Sequence, residues 1–478
     1  MNGVEKTFRA VDFEGVVAGR KVLLKGNVLK VLGKSGDDVR VNGVRCYEEG
    51  NGVFKLRLPR KAKLAGLVLG VAITLFVLES REYVVTAILV IVLVSVLRIL
   101  DPKTALSSLS SSVVFIFLAG SAFELVMKRT GLDETVASWV LKFAKGKLSL
   151  ILSTIFVSSI LSAIMSNTAA TYVMVPIVSR LASQELLEPL LLTLVASTAI
   201  GGSLTIIGTP PNLIVSSFAK DIAGVNLDFS SWLSFGFPNW VVGIIVITIL
   251  TLVFSAGKSF KIPEIDVSKK FDSKKTLALS IILATVALWS TTRLTGISSG
   301  VIGLLSILLF TITGLLPTKE IGKLRWDLVL LFGGGLTLGK ALMTSGWADW
   351  IVGRIPLPRS NWELFLFLTV LLLMGTVFSS HTSAAAFIGP VMVPIGMAIS
   401  GYFGGSPEVF GTVLLVMSTL SINNAMALPI STPPSAIVFS SGKVSSRSLA
   451  IYGLSFGILM NLFLVFVLKN LWITSASF

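Results

Sequence analysis

Ser166-Asn167-Thr168 sits midway along an otherwise apolar stretch that carries no charged residue from Ser149 to Ser179. Lipid offers no hydrogen bonds, so a polar triplet at membrane depth has to be satisfied by protein, water or an ion. As the tip of a re-entrant helix pair, the triplet would cap the returning helix, whose free amides and positive end would face the tip. That arrangement is a seat for an anion. The last carbonyls of the incoming helix, joined by the side-chain oxygens of Ser166 and Asn167, would offer the complementary negative surface to a hard cation such as Na+. A single triplet of this kind is more simply read as hydrogen-bonding glue between helices.

The neighbouring residues shift that balance. GGSLTIIGTPPNLIV breaks the next apolar stretch with Gly201, Gly202, Gly208, Pro210 and Pro211, so a continuous helix is excluded there. Unwound backbone at mid-membrane survives only where protein buries it or where it lines a cavity. The pair of breaks recurs as Ser380-His381-Thr382 and Ser431-Thr432-Pro433-Pro434, the latter preceded by SINNAMALP. Four broken segments in two matched pairs point to a site between two repeats near the bilayer midplane. No Lys or Arg occurs over 148–179, 189–219 or 364–442. An anion would therefore be held by hydroxyls, amides, helix ends and co-bound cations rather than by an arginine clamp, which favours cation-coupled uptake.

The elements that must position these residues are apolar spans. Of the 478 residues, 53% are hydrophobic and 14% charged, with a mean hydropathy of +0.86, which excludes a disordered chain, a disulfide scaffold and an ordinary cytosolic enzyme. The chain reads as an all-α polytopic membrane protein. Apolar segments fall at 64–80, 83–100, 112–130, 148–180, 188–219 and 233–256, then, after a lysine-rich stretch, at 277–292, 299–316, 326–345, 364–399, 407–440 and 449–470. Phe117, Gly120 and Gly131 match Phe332, Gly335 and Gly346 at an offset of 215; Ser166 and Pro176 match Ser380 and Pro390 at 214; Thr209 matches Thr432 at 223. Two homologous halves explain this echo, repeat 1 over 63–256 and repeat 2 over 277–478, joined by a basic cytoplasmic linker at 257–276. With one re-entrant hairpin, each half crosses five times, and odd repeats are inverted relative to each other.

Residues 1–62 read as a small, separate β-rich soluble domain, with short alternating runs between Gly, Asn and Asp turns and no signal peptide. The net charge of +15 belongs to loops at a lipid headgroup surface rather than to nucleic-acid binding. Bases concentrate on the face of the 257–276 loop, as the positive-inside tendency asks. Ten crossings then set both termini outside, against the preference of Arg60, Lys61 and Lys63 and without an export signal. Cys46 and His381 are the chain's one cysteine and one histidine, so a disulfide and a His-rich metal site are excluded. Glu124 and Lys340 lie inside spans and could pair across the repeats, but Glu124 with Lys128 at i,i+4 and a snorkelling Lys340 are the simpler account.

Over residues 64–470 the chain resembles the divalent anion/sodium symporters. Members carry a Ser-Asn-Thr tip in each of two re-entrant hairpins and a Thr-Pro-Pro motif after each. These correspond to Ser166-Asn167-Thr168 with Thr209-Pro210-Pro211, and to Ser380-His381-Thr382 with Thr432-Pro433-Pro434. The resemblance implies a homodimer in the cell membrane that moves a dicarboxylate, citrate or sulfate with Na+, by elevator-like motion of a transport domain against a scaffold. It implies no enzymatic activity and no cofactor beyond Na+ as the coupling ion. One Na+ site would use Ser162, Ser166, Asn167 and the backbone at Gly208; a second would use Thr376, Ser379, position 381 and the backbone at Ser431. The anion would meet Asn167, Thr168, Thr209, His381, Thr382, Thr432 and Pro433.

Two departures stand out. Position 381 is His where the family has Asn, and imidazole lacks an amide oxygen for Na+, though its neutral nitrogen accepts a hydrogen bond or a proton. Proton coupling or substrate contact is then open at His381, beside the ordinary reading of a lone histidine as a packing residue. The family's leading helix is also replaced by the N-terminal soluble domain. An arsenite or Na+/H+ exchanger of the same superfamily is the alternative function; an intramembrane enzyme finds no His/Glu motif or paired aspartates, and the N-terminal domain could be a binding or sensing module.

Overall fold

A computed structural model describes residues 13–17, 20–25, 28–32, 40–41, 44–48, 53–56, 60–77, 83–141, 145–259, 271–352, 355–377 and 381–474. The N-terminal strands are β1 Phe13–Val17, β2 Arg20–Lys25, β3 Val28–Leu32, β4 Arg40–Val41, β5 Val44–Glu48 and β6 Val53–Leu56. They form one antiparallel sheet in the order β1-β2-β3-β6-β5-β4. Its first three strands pair in the register Phe13 to Leu24 and Val22 to Val31.

Helices follow without further strands among the described residues. The first half holds α1 Arg60–Val77, α2 Tyr83–Val96, α3 Ser112–Thr130, α4 Lys147–Ile164, α5 Asn167–Leu181, α6 Gln184–Leu204, α7 Pro210–Phe218 and α8 Phe229–Phe254. The second holds α9 Ser273–Ser290, α10 Ser299–Ile312, α11 Trp326–Thr344, α12 Asn361–Val377, α13 His381–Phe403, α14 Pro407–Asn423, α15 Pro433–Ser440 and α16 Ser446–Phe463. Short helical turns fill the connections. Among the described residues six helices are long and apolar enough to cross a membrane, or seven if the pair bent by 115° between α13 and α14 counts as one span; several shorter apolar helices stand beside them. This is an all-α, multi-pass membrane architecture, with large buried side chains such as Phe123, Trp232, Trp289 and Tyr452 along its core.

The element order of the first half recurs in the second: a long helix, a helix pair broken at a tip, a second broken pair, and a closing helix. Contacts between the halves are reciprocal. α2 packs on α11 while α3 packs on α10; α1 meets α11 while α9 meets α3; the returning helix α5 meets α15 while α13 meets α7. These three pairs of inter-half contacts are thus matched with the roles exchanged.

Local chemistry explains where the helices stop. At the first tip, α4 ends at Ile164, and Ser166 turns extended to cap α5, its hydroxyl accepting the Ala169 amide at 3.2 Å. Pro210 and Pro211 occupy the first turn of α7, where their missing N–H is no loss, behind an extended Thr209. Pro433 and Pro434 open α15 in the same way, with Thr432 Oγ1 accepting the Ser435 amide at 3.1 Å. The carbonyls freed at the end of α6 are taken by Asn212, whose Nδ2 donates to Gly202 O and Thr205 O at 2.9 Å each.

Candidate functional site

The two tips and the two Pro-Pro starts face one cavity of about 350 Å³. Tip 1 contributes Ser166, Asn167 and Thr168, with Gly208 and Thr209 from the break before α7; tip 2 contributes His381 and Thr382, with Ser431, Thr432 and Pro433 from the break before α15. Residues drawn from positions more than 250 apart in sequence are therefore brought together. Ser162 and Thr376 stand behind this lining, and Ser379, like Ser380, lies outside the described residues.

Around tip 1 oxygens outnumber the protons available to them. Ser162 Oγ lies 2.6 Å from Asn167 Oδ1 and 2.7 Å from Thr198 O, and its single proton serves one acceptor at a time. The backbone is pressed close here. A β-carbon on Gly202 would overlap Asn167 Oδ1, and one on Gly208 would lie 2.6 Å from Gly202 O and 2.9 Å from Ser162 O. Glycine is what allows the carbonyl-rich end of α6 to approach the tip. Thr205 Oγ1 donates to Ala163 O and locks α4 to the same break. This oxygen set fits a hard cation, while the amide end of α5 is left toward the cavity for an anion.

Tip 2 is built from similar parts with a different outcome. Thr376 Oγ1 donates to Leu372 O at 2.9 Å, and Ser431 Oγ donates to Thr376 O at 2.7 Å, so both hydroxyl protons are committed to backbone. The His381 ring is set against the backbone of Gly375 and Ala425, and its Nε2 has no hydrogen-bond partner. Behind it the amide of Asn424 is buried with neither end partnered, and Asn423 donates to Asn212 Oδ1 at 3.3 Å across the two halves.

Two charged residues line the cavity that the sequence reading did not place in the site, Glu124 and Arg325. Glu124 forms the expected i,i+4 pair with Lys128, Oε1 to Nζ at 2.7 Å, and Lys340 pairs with no carboxylate among the described residues. The other oxygen of Glu124 reaches tip 1, where Oε2 accepts the Ser166 amide at 3.3 Å. Its place on the span that carries the matched Phe117 and Gly120 is the signal that could have marked it. Arg325 corrects the expectation of a site far from any base. It precedes α11 and lines the cavity, although the broken spans themselves carry no Lys or Arg. Its guanidinium is engaged by Asp327, Nε to Oδ1 at 3.0 Å and Nη2 to Oδ2 at 2.8 Å, so it forms the rim rather than a clamp.

Among known proteins, the chain is 27% identical to a Haemophilus influenzae protein described as an uncharacterized transporter, over 86% of this chain and 91% of that one. It is 26% identical to the sodium-dependent dicarboxylate transporter SdcS of Staphylococcus saprophyticus, over 80% of each, and 27% identical to SdcS of Staphylococcus aureus, again over 80% of each. The crystal structure of the Alcanivorax borkumensis YdaH transporter shares the fold, with a TM-score of 0.51 and 15% identity over 77% of this chain and 87% of that one. The family model for the citrate transporter, CitMHS, matches residues 73–416. Sharing that family's sequence over well more than half its length, the chain belongs to the citrate transporter family and is a secondary transporter of the divalent anion/sodium symporter kind.

Proposed function

We propose that this transporter couples a Na+ or H+ gradient to the movement of a small divalent anion, such as a dicarboxylate or sulfate, across the cell membrane. The observation that carries the reading is the single cavity shared by both tips, with an oxygen-rich pocket behind tip 1 and two helix starts aimed into it. Na+ would sit among Ser162, Ser166, Asn167 and the Gly208 backbone. The anion would lie between Asn167, Thr168 and Thr209 on one side and His381, Thr382, Thr432 and Pro433 on the other.

A second Na+ at Thr376, Ser379, His381 and Ser431 finds less support. The hydroxyls of Thr376 and Ser431 are bound to backbone, and position 381 supplies no amide oxygen. A neutral imidazole there would instead meet the anion through a ring nitrogen. The matched packing of the halves supports inverted repeats of five crossings and one hairpin, and the relatives' name, sodium-dependent dicarboxylate transporter, supports both ion and anion class. The reading further includes a homodimer and a separate soluble sheet domain over residues 1–62.

The test is uptake of labelled succinate and sulfate into proteoliposomes, with Na+ and pH gradients imposed separately. Thr168→Ala and Thr382→Ala should each cut uptake about tenfold or more while the protein still reaches the membrane, as expected for a hydroxyl that meets a buried anion. Normal uptake by both variants would remove these tips from the anion site. Arsenite efflux with no uptake of either anion would point instead to the exchanger branch of the superfamily.

A further inference from the structure

We propose that Glu124 makes anion binding at this site depend on prior binding of the cation; the inference rests on the anion-and-cation reading given above. Glu124 and Arg325 are the charged residues that line the cavity among the described residues, and Arg325 is turned to Asp327. That leaves one carboxylate facing the seat, and it sits at the wrong place for a bare anion. Its Oε2 accepts the amide of Ser166, the residue that caps α5 and precedes Asn167. A negative group of the protein thus already stands at the capping residue, next to the amide end that would attract a substrate anion.

Lys128 does not cancel this charge. The pair is at 2.7 Å, but the lysine side chain is 44% exposed and the glutamate 22%, so water weakens the pairing on the lysine side while the carboxylate faces the cavity. Beside Glu124, the oxygens of Ser162 and Asn167 form the proposed cation pocket. A negative charge next to that pocket draws a cation in and holds a divalent anion off until the cation has compensated it. Linkage then requires the same factor in both directions: the cation strengthens anion binding as much as the anion strengthens cation binding. The second tip has no carboxylate among the described lining residues, so the dependence is assigned to tip 1.

A merely structural role, capping the Ser166 amide, is separable from this one. Glu124→Gln keeps an oxygen for the amide and loses the charge, whereas Glu124→Asp keeps the charge. The experiment measures binding of radioactive Na+, and of labelled succinate and sulfate with Na+ or choline present, on the purified full chain. In the parent protein Na+ should tighten anion binding about tenfold or more. Glu124→Gln should bind the anion about tenfold more tightly in choline, lose most of the Na+ effect, and bind Na+ alone about tenfold more weakly. Glu124→Asp should keep most of the linkage. A Gln variant with the parent's linkage overturns the proposal. If the parent binds Na+ but neither anion, the anion reading falls, and the Na+ measurement still decides for or against Glu124. If it binds none of the three, both fall.

Discussion

Histidine at position 381 changes what tip 2 can offer an ion. Asparagine would bring an amide oxygen to a pocket already rich in backbone carbonyls; neutral imidazole brings one ring nitrogen as acceptor and one as donor. The ring stands against the Gly375 and Ala425 backbone, where the amide oxygen of an asparagine would otherwise be placed. His381→Asn should therefore raise the Na+ dependence of uptake, lowering the Na+ concentration for half-maximal transport about tenfold, which corresponds to about 1.4 kcal/mol. Na+ activation curves in proteoliposomes at fixed pH read this directly, and an unchanged curve would mean that the histidine only packs. At this scale the sequence was informative where residue type alone carries the chemistry. Ser166, Asn167 and Thr168 announce themselves by polarity in an apolar run. Glu124 did not, because its i,i+4 lysine accounts for it locally, and the contact that matters reaches a residue 42 positions away.

The broken spans are held open by specific hydrogen bonds rather than by the absence of helix propensity alone. Gly and Pro stop α6 and start α7, but they leave carbonyls in a region without water, and those carbonyls need a donor. Asn212 supplies it twice and also accepts from Asn423 in the other half. Asn212→Ala should therefore lower stability by about 1–3 kcal/mol, the cost of leaving buried acceptors unpaired. Thermal unfolding in detergent checks this, and a midpoint equal to the parent's would mean that other groups already satisfy the break. The repeat 2 counterpart of Asn212, at the 223 offset, is Ser435, whose hydroxyl bonds Met426 O at 3.3 Å. The breaks were legible from Gly-Thr-Pro-Pro and Ser-Thr-Pro-Pro. Which residue repairs each could not be read, because an amide and a hydroxyl do the same work at matched positions directly after the two prolines.

For the whole molecule, the connections between helices meet one another in distinct groups. Arg129 pairs with Glu320 at 2.7 Å, Lys147 donates to the Ser255 and Lys258 carbonyls, Glu185 accepts the Ser259 amide at 2.7 Å, and Glu188 accepts the Ser445 amide at 3.1 Å. These contacts gather one set of loops, the basic set, at one end of the helices. A separate cavity collects Ser111, Lys220, Asp228 and Thr292–Ser299 from the opposite end of α3. The packing of the halves, α2 on α11 and α3 on α10, depends on side-chain fit that no sequence offset reveals. If the basic end lies in the cytoplasm, five crossings in the first half would put the N-terminal sheet outside. Cys46 lies in β5 of that sheet and is the chain's single cysteine. A membrane-impermeant maleimide should then label intact cells expressing the full chain, to the same extent as permeabilised cells, and Cys46→Ser should abolish the signal. Labelling that requires permeabilisation would place the sheet in the cytoplasm. The crossings between the sheet and the 257–276 linker would then be even in number, so the first half could not span the membrane an odd number of times, and the inverted relation of the two halves would fail with it.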